Sequence, residues 1–283
     1  MSVQCKYIQL SAMSSDTPAN TPRSCRTVSL LLKLNWVAVV LHILNLAAMV
    51  YVTFENETFK SFSVPLTYSG LIYDKEEHEL KTESYQLVCM PLWPFCVSFF
   101  SLSALFQLIA GCFYYNEMDP TARSNYWRWS EYAISSSCMI FVIAVLVGVR
   151  DCNALLCILL LNACMNLFGL LAEQLNRQIP PRTGAHWLPF LFGCLAGIGP
   201  WTCIIGTLLA TSEDMPKFVY GIFGSYLFMF VLFPINMCVD LCKQTKEAHV
   251  TAEISYIILS LTAKSLLGWL VFSGLKQPAS SCL

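Results

Sequence analysis

The sequence predicts an all-α integral membrane protein: a seven-transmembrane helix bundle with a short β-hairpin in its first extracellular loop. Three observations carry that prediction. The 283-residue chain is 56% hydrophobic and only 12% charged, about half the charge fraction of an ordinary soluble domain, and its mean hydropathy is +0.57. Seven stretches of about 20 or more mostly apolar residues recur along it, each long enough to cross the ~30 Å hydrocarbon core of a bilayer. The last of them holds a lysine, Lys264, near its middle.

Taken in order, residues 1–27 are polar, with Ser, Thr, Pro, Arg23 and Arg26. They lack the apolar run of a cleavable signal and read as a disordered cytoplasmic tail. The spans are expected at roughly 28–53, 91–115, 120–148, 153–176, 187–210, 216–242 and 251–275, the whole of 28–275 forming one helical domain. Pro91 and Pro94 open the second span. Asp119-Pro120 reads as an N-cap followed by proline at the first helical position, and Pro216 after Glu213-Asp214 repeats the pattern. Pro234 inside the sixth span predicts a kink. The connection at 54–90 is too long to be passive, and its segments Leu66–Gly70 and Ser84–Val88 suit a short hairpin on the outer face. Residues 276–283 would be a short extracellular tail.

Loop charges set the expected orientation. The tail and the even-numbered connections carry Lys6, Arg23, Arg26, Lys33, Arg123, Arg128, Arg177, Arg182, Lys243 and Lys246, while the other side carries Lys60, Lys75, Lys81, Arg150, Lys217 and Lys276. Ten basic residues against six favour a cytoplasmic amino terminus and an extracellular carboxyl terminus. The sequon Asn56-Glu57-Thr58 falls in the first outer loop, which agrees. A net charge of −1, with no basic stripe, argues against nucleic acid. Of fourteen cysteines, most lie within apolar segments, where a thiol is a small hydrophobe. Cys89, Cys152 and Cys282 lie near the outer ends, and nothing in the sequence pairs them. No metal-ligand spacing and no catalytic constellation is present, so neither a metal nor an enzyme is expected.

Lys264 is the residue that demands an explanation. Charge at the centre of a spanning helix costs about 2.5–3.5 kcal/mol or more, and roughly 20 Å of helix separates this nitrogen from water at either end. A neutral amine, a carboxylate partner or covalent modification would each compensate. Glu131, about twelve residues into the third span, reaches nearly the depth of Lys264, about fourteen into the seventh; both lie roughly 17–20 Å in. The two read as an ion pair, either as a helix pin without chemistry or as part of a site. Ser260 precedes Lys264 by four residues and Ser135 follows Glu131 by four, so each shares its partner's helical face. His42 in the first span and Gln107 in the second are also deep. Asn162 reads foremost as a bridge between helices. Trp201, Tyr226 and Phe230 read as packing unless the lysine carries a cofactor. Glu173 and Asp240 lie near cytoplasmic ends and are expected to be solvated.

Several segments resemble the heliorhodopsin family in order and spacing: Arg128-Trp-Ser-Glu-Tyr-Ala-Ile-Ser-Ser-Ser137, Leu259-Ser-Leu-Thr-Ala-Lys-Ser265, His42, Ser103-Ala-Leu-Phe106, Asn162-Ala163, Phe190-Leu-Phe-Gly-Cys-Leu-Ala-Gly-Ile-Gly-Pro-Trp201 and Phe218-Val-Tyr-Gly-Ile222. The likeness runs from about residue 28 to 275. It implies a rhodopsin-like fold with inverted topology, and all-trans retinal joined to Lys264 as a protonated Schiff base with Glu131 as counter-ion. Ser260 would hydrogen-bond that region, and Trp201, Asn162, Met165, Tyr226 and Phe230 would line the polyene and its ring. The resemblance also implies a homodimer to which the first outer loop contributes. One position departs from the pattern: where the family commonly has a second histidine in the second span, this chain has Gln107, which holds no proton at neutral pH. His42 alone, or a water cluster, would then accept a proton in that cavity.

The function expected from this resemblance is light sensing, with a slow photocycle that signals to a cytoplasmic partner still unknown. Pumping is disfavoured by analogy with outward pumps, because Val142 and Pro120, eleven residues either side of Glu131, hold no proton. The alternative is a light-gated passive proton or ion conductance using Glu213, Asp214 and Asp240 as way-stations. A retinal-free transporter or hormone-type receptor fits poorly, since no inverted pair of interrupted helices is present and such receptors place the amino terminus outside.

Overall fold

A computed structural model describes residues 21–115, 124–178, 184–211, 213 and 216–275. Among them are seven helices long and apolar enough to cross a bilayer. The first, α1 (Thr21–Glu55), begins inside the stretch expected to be a disordered tail, so the helical domain starts before residue 28. Residues 1–20 and the expected tail at 276–283 lie outside the described residues. A short α2 (Glu57–Ser61) follows, capped by Asn56, whose side chain accepts from the Phe59 amide at 3.0 Å.

The hairpin is longer than its sequence suggested. Strands β1 (Ser63–Asp74) and β2 (Glu79–Pro91) pair antiparallel, with Tyr68 opposite Tyr85, Ser69 opposite Ser84, and an irregularity between Leu66 and Thr67. Pairing continues past Gly70 because the turn is held by its own polar groups. Asp74 accepts from the amides of Glu76 and Glu77, and Lys81 donates to it at 2.9 Å. That lysine, with the two amides, holds the Asp74 carboxyl below the ordinary carboxylate value. The Thr67 amide donates to the Arg150 carbonyl at 2.9 Å, which ties the hairpin to the connection after the third span. This is the hairpin end of the bundle.

The second span is α3 (Trp93–Ile109), with Leu92 as cap and Pro94 in its first turn, and it continues as a π-helical turn over Ala110–Tyr114. Both Tyr114 and Tyr115 at its end are buried. The third is α4 (Tyr126–Leu146), capped by Asn125, whose side chain accepts from the Arg128 amide at 3.1 Å. It starts later than expected, and the Asp119-Pro120 cap lies outside the described residues. Then come α5 (Cys152–Gln178), α6 (Leu188–Ala210) and α7 (Lys217–Lys243). Pro216 is itself the cap of α7 and not its first helical residue. The last, α8 (Lys246–Gly274), is capped by Thr245 and starts before the expected residue 251. Cys89 is disulfide-bonded and Cys152 is free.

Neighbours in the bundle follow chain order: α1 on α3, α3 on α4, α4 on α5, α5 on α6, and α7 on α8, which returns to α1. Helix α4 is the most buried of the seven. Toward the hairpin end the interior is continuous apolar packing, with Phe99, Phe100, Ile140, Val142, Ile143, Leu267 and Val271. At the opposite end a smaller aromatic cluster of Trp129, Tyr132 and Tyr256 lies beside buried charges. Gly169 on α5 makes one close approach possible: a Cβ there would stand 2.4 Å from the Trp129 ring. Gly169→Ala is therefore expected to overpack that contact and cost about 1–3 kcal/mol. Gly206→Ala, where a Cβ meets nothing within 4 Å, should be near neutral; thermal denaturation of the two variants in detergent compares them.

Candidate functional site: a buried lysine–carboxylate pair and its cavity

Lys264 on α8 and Glu131 on α4 meet inside the bundle, with Nζ 2.8 Å from Oε1. Both are almost wholly buried, at 3% and 2% exposure. Ser103 and Ser135 donate to the same carboxylate oxygen at 2.7 and 2.8 Å, and Lys264 donates to Ser260 at 2.6 Å. The Tyr132 ring centroid lies 5.2 Å from the ammonium. Desolvating two charges is repaid only where geometry is good and further hydrogen bonds support them; Ser103 and Ser135 add two donors to Oε1, and Ser260 accepts from the ammonium. The helix starts differ from those expected, so depth counted along each span does not match. The pair forms nonetheless because α4 begins inside the protein, with its cap Asn125 buried.

A cavity of about 450 Å³ reaches Lys264 and Ser260, within the ~300–1,000 Å³ range of small-molecule sites. Trp201, Met165, Tyr226 and Phe230 line it, and the Trp201 ring lies 5.8 Å from Tyr226 and 5.0 Å from Phe230. Helices α6 and α7 are bridged there by these side chains. Asn162 does not line the cavity. It donates to Ser136 at 2.7 Å and Ser137 at 3.1 Å, bracing α4 against α5, while Ser136 and Asn166 take the wall positions.

Sequence reasoning missed Trp129, Tyr132, Gly193 and Gly197 on this wall. A Cβ at Gly197 would stand 2.8 Å from Met165 Sδ, so the glycines, four residues apart on one face of α6, open the space. That spacing was a signal the sequence offered.

Ser135, His42 and Gln107 lie off the large cavity. Ser135 serves Glu131. His42 is fully buried, and neither of its ring nitrogens has a hydrogen-bond partner among the described residues. The Gln107 backbone carbonyl accepts from Asn35 at 2.8 Å, whereas its side-chain Oε1 has no partner among the described residues.

The charges expected to be solvated are not. Glu173 and Asp240 are buried, and so is Arg128, counted above among loop charges. Arg128 is bonded to both Glu173 and Glu253. Trp129 donates to Glu173 at 2.5 Å, and Tyr115 donates to Glu253 at 2.9 Å. Arg177 lies 3.4 Å from Glu173 and 4.0 Å from Asp240, which meets His249 at 2.6 Å. Residues near a predicted helix end read as wet, but here α4 starts late and α8 starts early, so their ends pack against one another.

The fold is shared with microbial rhodopsins. Exiguobacterium sibiricum rhodopsin superposes with a TM-score of 0.63 at 15% identity, covering 88% of this chain and 97% of that one. A light-driven proton pump from Leptosphaeria maculans gives 0.61 at 15%, covering 86% and 95%. A cyanorhodopsin from the cyanobacterium Tolypothrix gives 0.60 at 13%, covering 89% and 98%. At those identities the likeness establishes a rhodopsin-type seven-helix membrane fold. The heliorhodopsin sequence profile matches residues 31–275, and the chain belongs to that family of retinal-binding photoreceptor-type membrane proteins. No functionally curated protein matches it.

Arg128→Gln leaves Glu173 and Glu253 buried without their guanidinium and should cost about 3–5 kcal/mol. A double-mutant cycle with Glu253→Gln, read by thermal unfolding, should show the pair less destabilised than the sum of the singles.

Proposed function

We propose that this heliorhodopsin is a light sensor in which all-trans retinal is joined to Lys264 and held cationic by Glu131. The observation that carries the reading is the 2.8 Å contact between Lys264 Nζ and Glu131 Oε1 at the end of a largely apolar cavity. The residues fit the group: the cavity has the volume for a small apolar ligand, aromatic walls, and a single primary amine at its end.

When bound, retinal supplies visible absorption and a light-driven double-bond isomerisation. Lys264 supplies the nitrogen, which in the linked state keeps one proton and a positive charge. Glu131 stabilises that charge, and Ser103 and Ser135 keep its carboxylate ionised by donating to it. Ser260, 2.6 Å from the free lysine nitrogen, would offer an acceptor beside Glu131. Trp201, Tyr226 and Phe230 restrict the space in which a ligand can rotate.

Signalling is the activity these residues support best, through a slow cycle read at the cytoplasmic surface by a partner protein. The amino terminus is assigned to the cytoplasm from the loop charges, and the outer hairpin to a homodimer from the family resemblance. The apolar packing between the pair and the hairpin end disfavours a pump, because it offers an ion no polar path outward. A second reading, passive light-gated proton conductance, draws on the buried charges at the opposite end, which would supply half of a path, but it requires the same apolar layer to open.

Absorption spectroscopy after addition of all-trans retinal tests the assignment. Wild-type protein should acquire a visible band, and Lys264→Ala should stay colourless. Glu131→Gln should absorb at longer wavelength, because the ground-state cation loses its electrostatic stabilisation; an unchanged spectrum would remove Glu131 from the role. Voltage-clamp recording under illumination separates the readings: sensing alone predicts no photocurrent, and a voltage-dependent current would establish conductance.

A further inference from the structure

Asn45 on α1 is a half-buried amide in a run, residues 39–50, that is otherwise apolar except for His42. An amide at this depth is costly unless it is bonded. Both hydrogens and the oxygen of its side chain are engaged. Nδ2 donates to the Leu41 carbonyl at 2.9 Å and to Ser265 Oγ at 3.3 Å, and Oδ1 accepts from Trp269 Nε1 at 2.8 Å. Two of these three partners belong to α8. Ser265 is the residue after Lys264, and Trp269 stands about one turn further on.

Alongside these bonds α8 lies close against its neighbours. A Cβ at Gly268 would stand 2.7 Å from the Phe100 ring of α3 and 3.4 Å from Met49 Cε of α1. Apolar contacts of this kind keep α8 near α1 and α3, but they are non-directional and resist rotation about the helix axis only weakly. Hydrogen bonds weaken steeply as their angle departs from linear, so the two bonds from α8 to Asn45 fix that rotation. The Lys264 nitrogen depends on it. A helix with its side chains is about 10–12 Å across, so turning α8 by ~15° carries a group at its rim about 1.5 Å. A displacement of that size takes the 2.8 Å contact between Lys264 Nζ and Glu131 out of hydrogen-bonding range.

We propose that Asn45 is a positioning residue for the Lys264 nitrogen. By gripping Ser265 and Trp269 it sets the rotation of α8, and thereby the separation between that nitrogen and the Glu131 carboxylate. Trp269 extends the grip toward the hairpin end: its ring lies 6.0 Å from Phe272, whose ring lies 5.1 Å from Phe59 of α2. In the pigment the separation sets the colour, because a nearer carboxylate stabilises the ground-state cation more. The colour readout rests on the retinal reading above; the geometry of the pair does not.

Asn45→Leu nearly keeps the volume of the side chain and removes its three bonds. In retinal-loaded protein it should move absorption to longer wavelength than wild type, by less than Glu131→Gln does. Combined with Glu131→Gln it should add no further shift, since no carboxylate remains whose distance can change. Trp269→Phe and Ser265→Ala each remove one bond and should together reproduce the shift, which keeps the test decisive where Asn45→Leu does not fold. In retinal-free protein the Glu131 carboxylate infrared band, identified by its loss in Glu131→Gln, should also shift in Asn45→Leu, because the hydrogen bond from Lys264 lengthens. A simple helix brace predicts a lower Tm with absorption and infrared band both unchanged, and that result overturns the proposal. So does a shift to shorter wavelength, or one that persists undiminished in the Glu131→Gln background. Absence of a visible band in every protein, with the infrared shift present, overturns the retinal reading alone.

Discussion

One ammonium–carboxylate contact between α4 and α8 constrains the rest of this protein. Two desolvated charges 2.8 Å apart persist inside a membrane protein only if each supports the other and further hydrogen bonds support both. Three serines from three helices meet that requirement: Ser103, Ser135 and Ser260. Each sits within hydrogen-bonding reach because α3, α4 and α8 pack in a fixed register, and the apolar layer toward the hairpin end maintains that register. The same contact marks where the large cavity ends, so packing, electrostatics and ligand space meet at one nitrogen.

The two helices are joined a second time with the polarity reversed. Helix α4 carries Arg128 one turn before Glu131, and α8 carries Glu253 about three turns before Lys264. Cation faces anion at both crossings, and a register slip of one turn would set like charges together. Specifying register is the best-attested use of buried ionic groups. Tyr132 adds a link between the crossings, its hydroxyl donating to the Tyr256 carbonyl at 3.0 Å. The two crossings thus stand one helical turn apart on α4, with Tyr132 between them.

The bundle was legible in the sequence because spanning helices need only length and apolar composition, and α3, α5, α6 and α7 fall within a few residues of where hydropathy puts them. Lys264 and Glu131 were legible because charge inside an apolar run has few explanations. What the sequence concealed were the consequences of where helices start. Glu173, Asp240 and Arg128 lie near the ends of apolar runs and so read as solvated, yet the late start of α4 and the early start of α8 bury them together. Glu253 gave no signal, since it sits at the polar edge of its span. The hairpin ran longer than alternation alone indicated, because a self-capped turn at Asp74 closes a segment whose charges resemble a loop. The match to the heliorhodopsin family agrees with the resemblance carried by the segments around Glu131 and Lys264.

The central claim concerns the nitrogen that carries the chromophore. After incubation with all-trans retinal, borohydride reduction fixes the linkage, and proteolysis with mass spectrometry locates the added mass. The account predicts a retinyl group on the peptide containing Lys264 and on no other lysine. A label on Lys33, Lys217 or any other lysine, or no label after reduction, would contradict it.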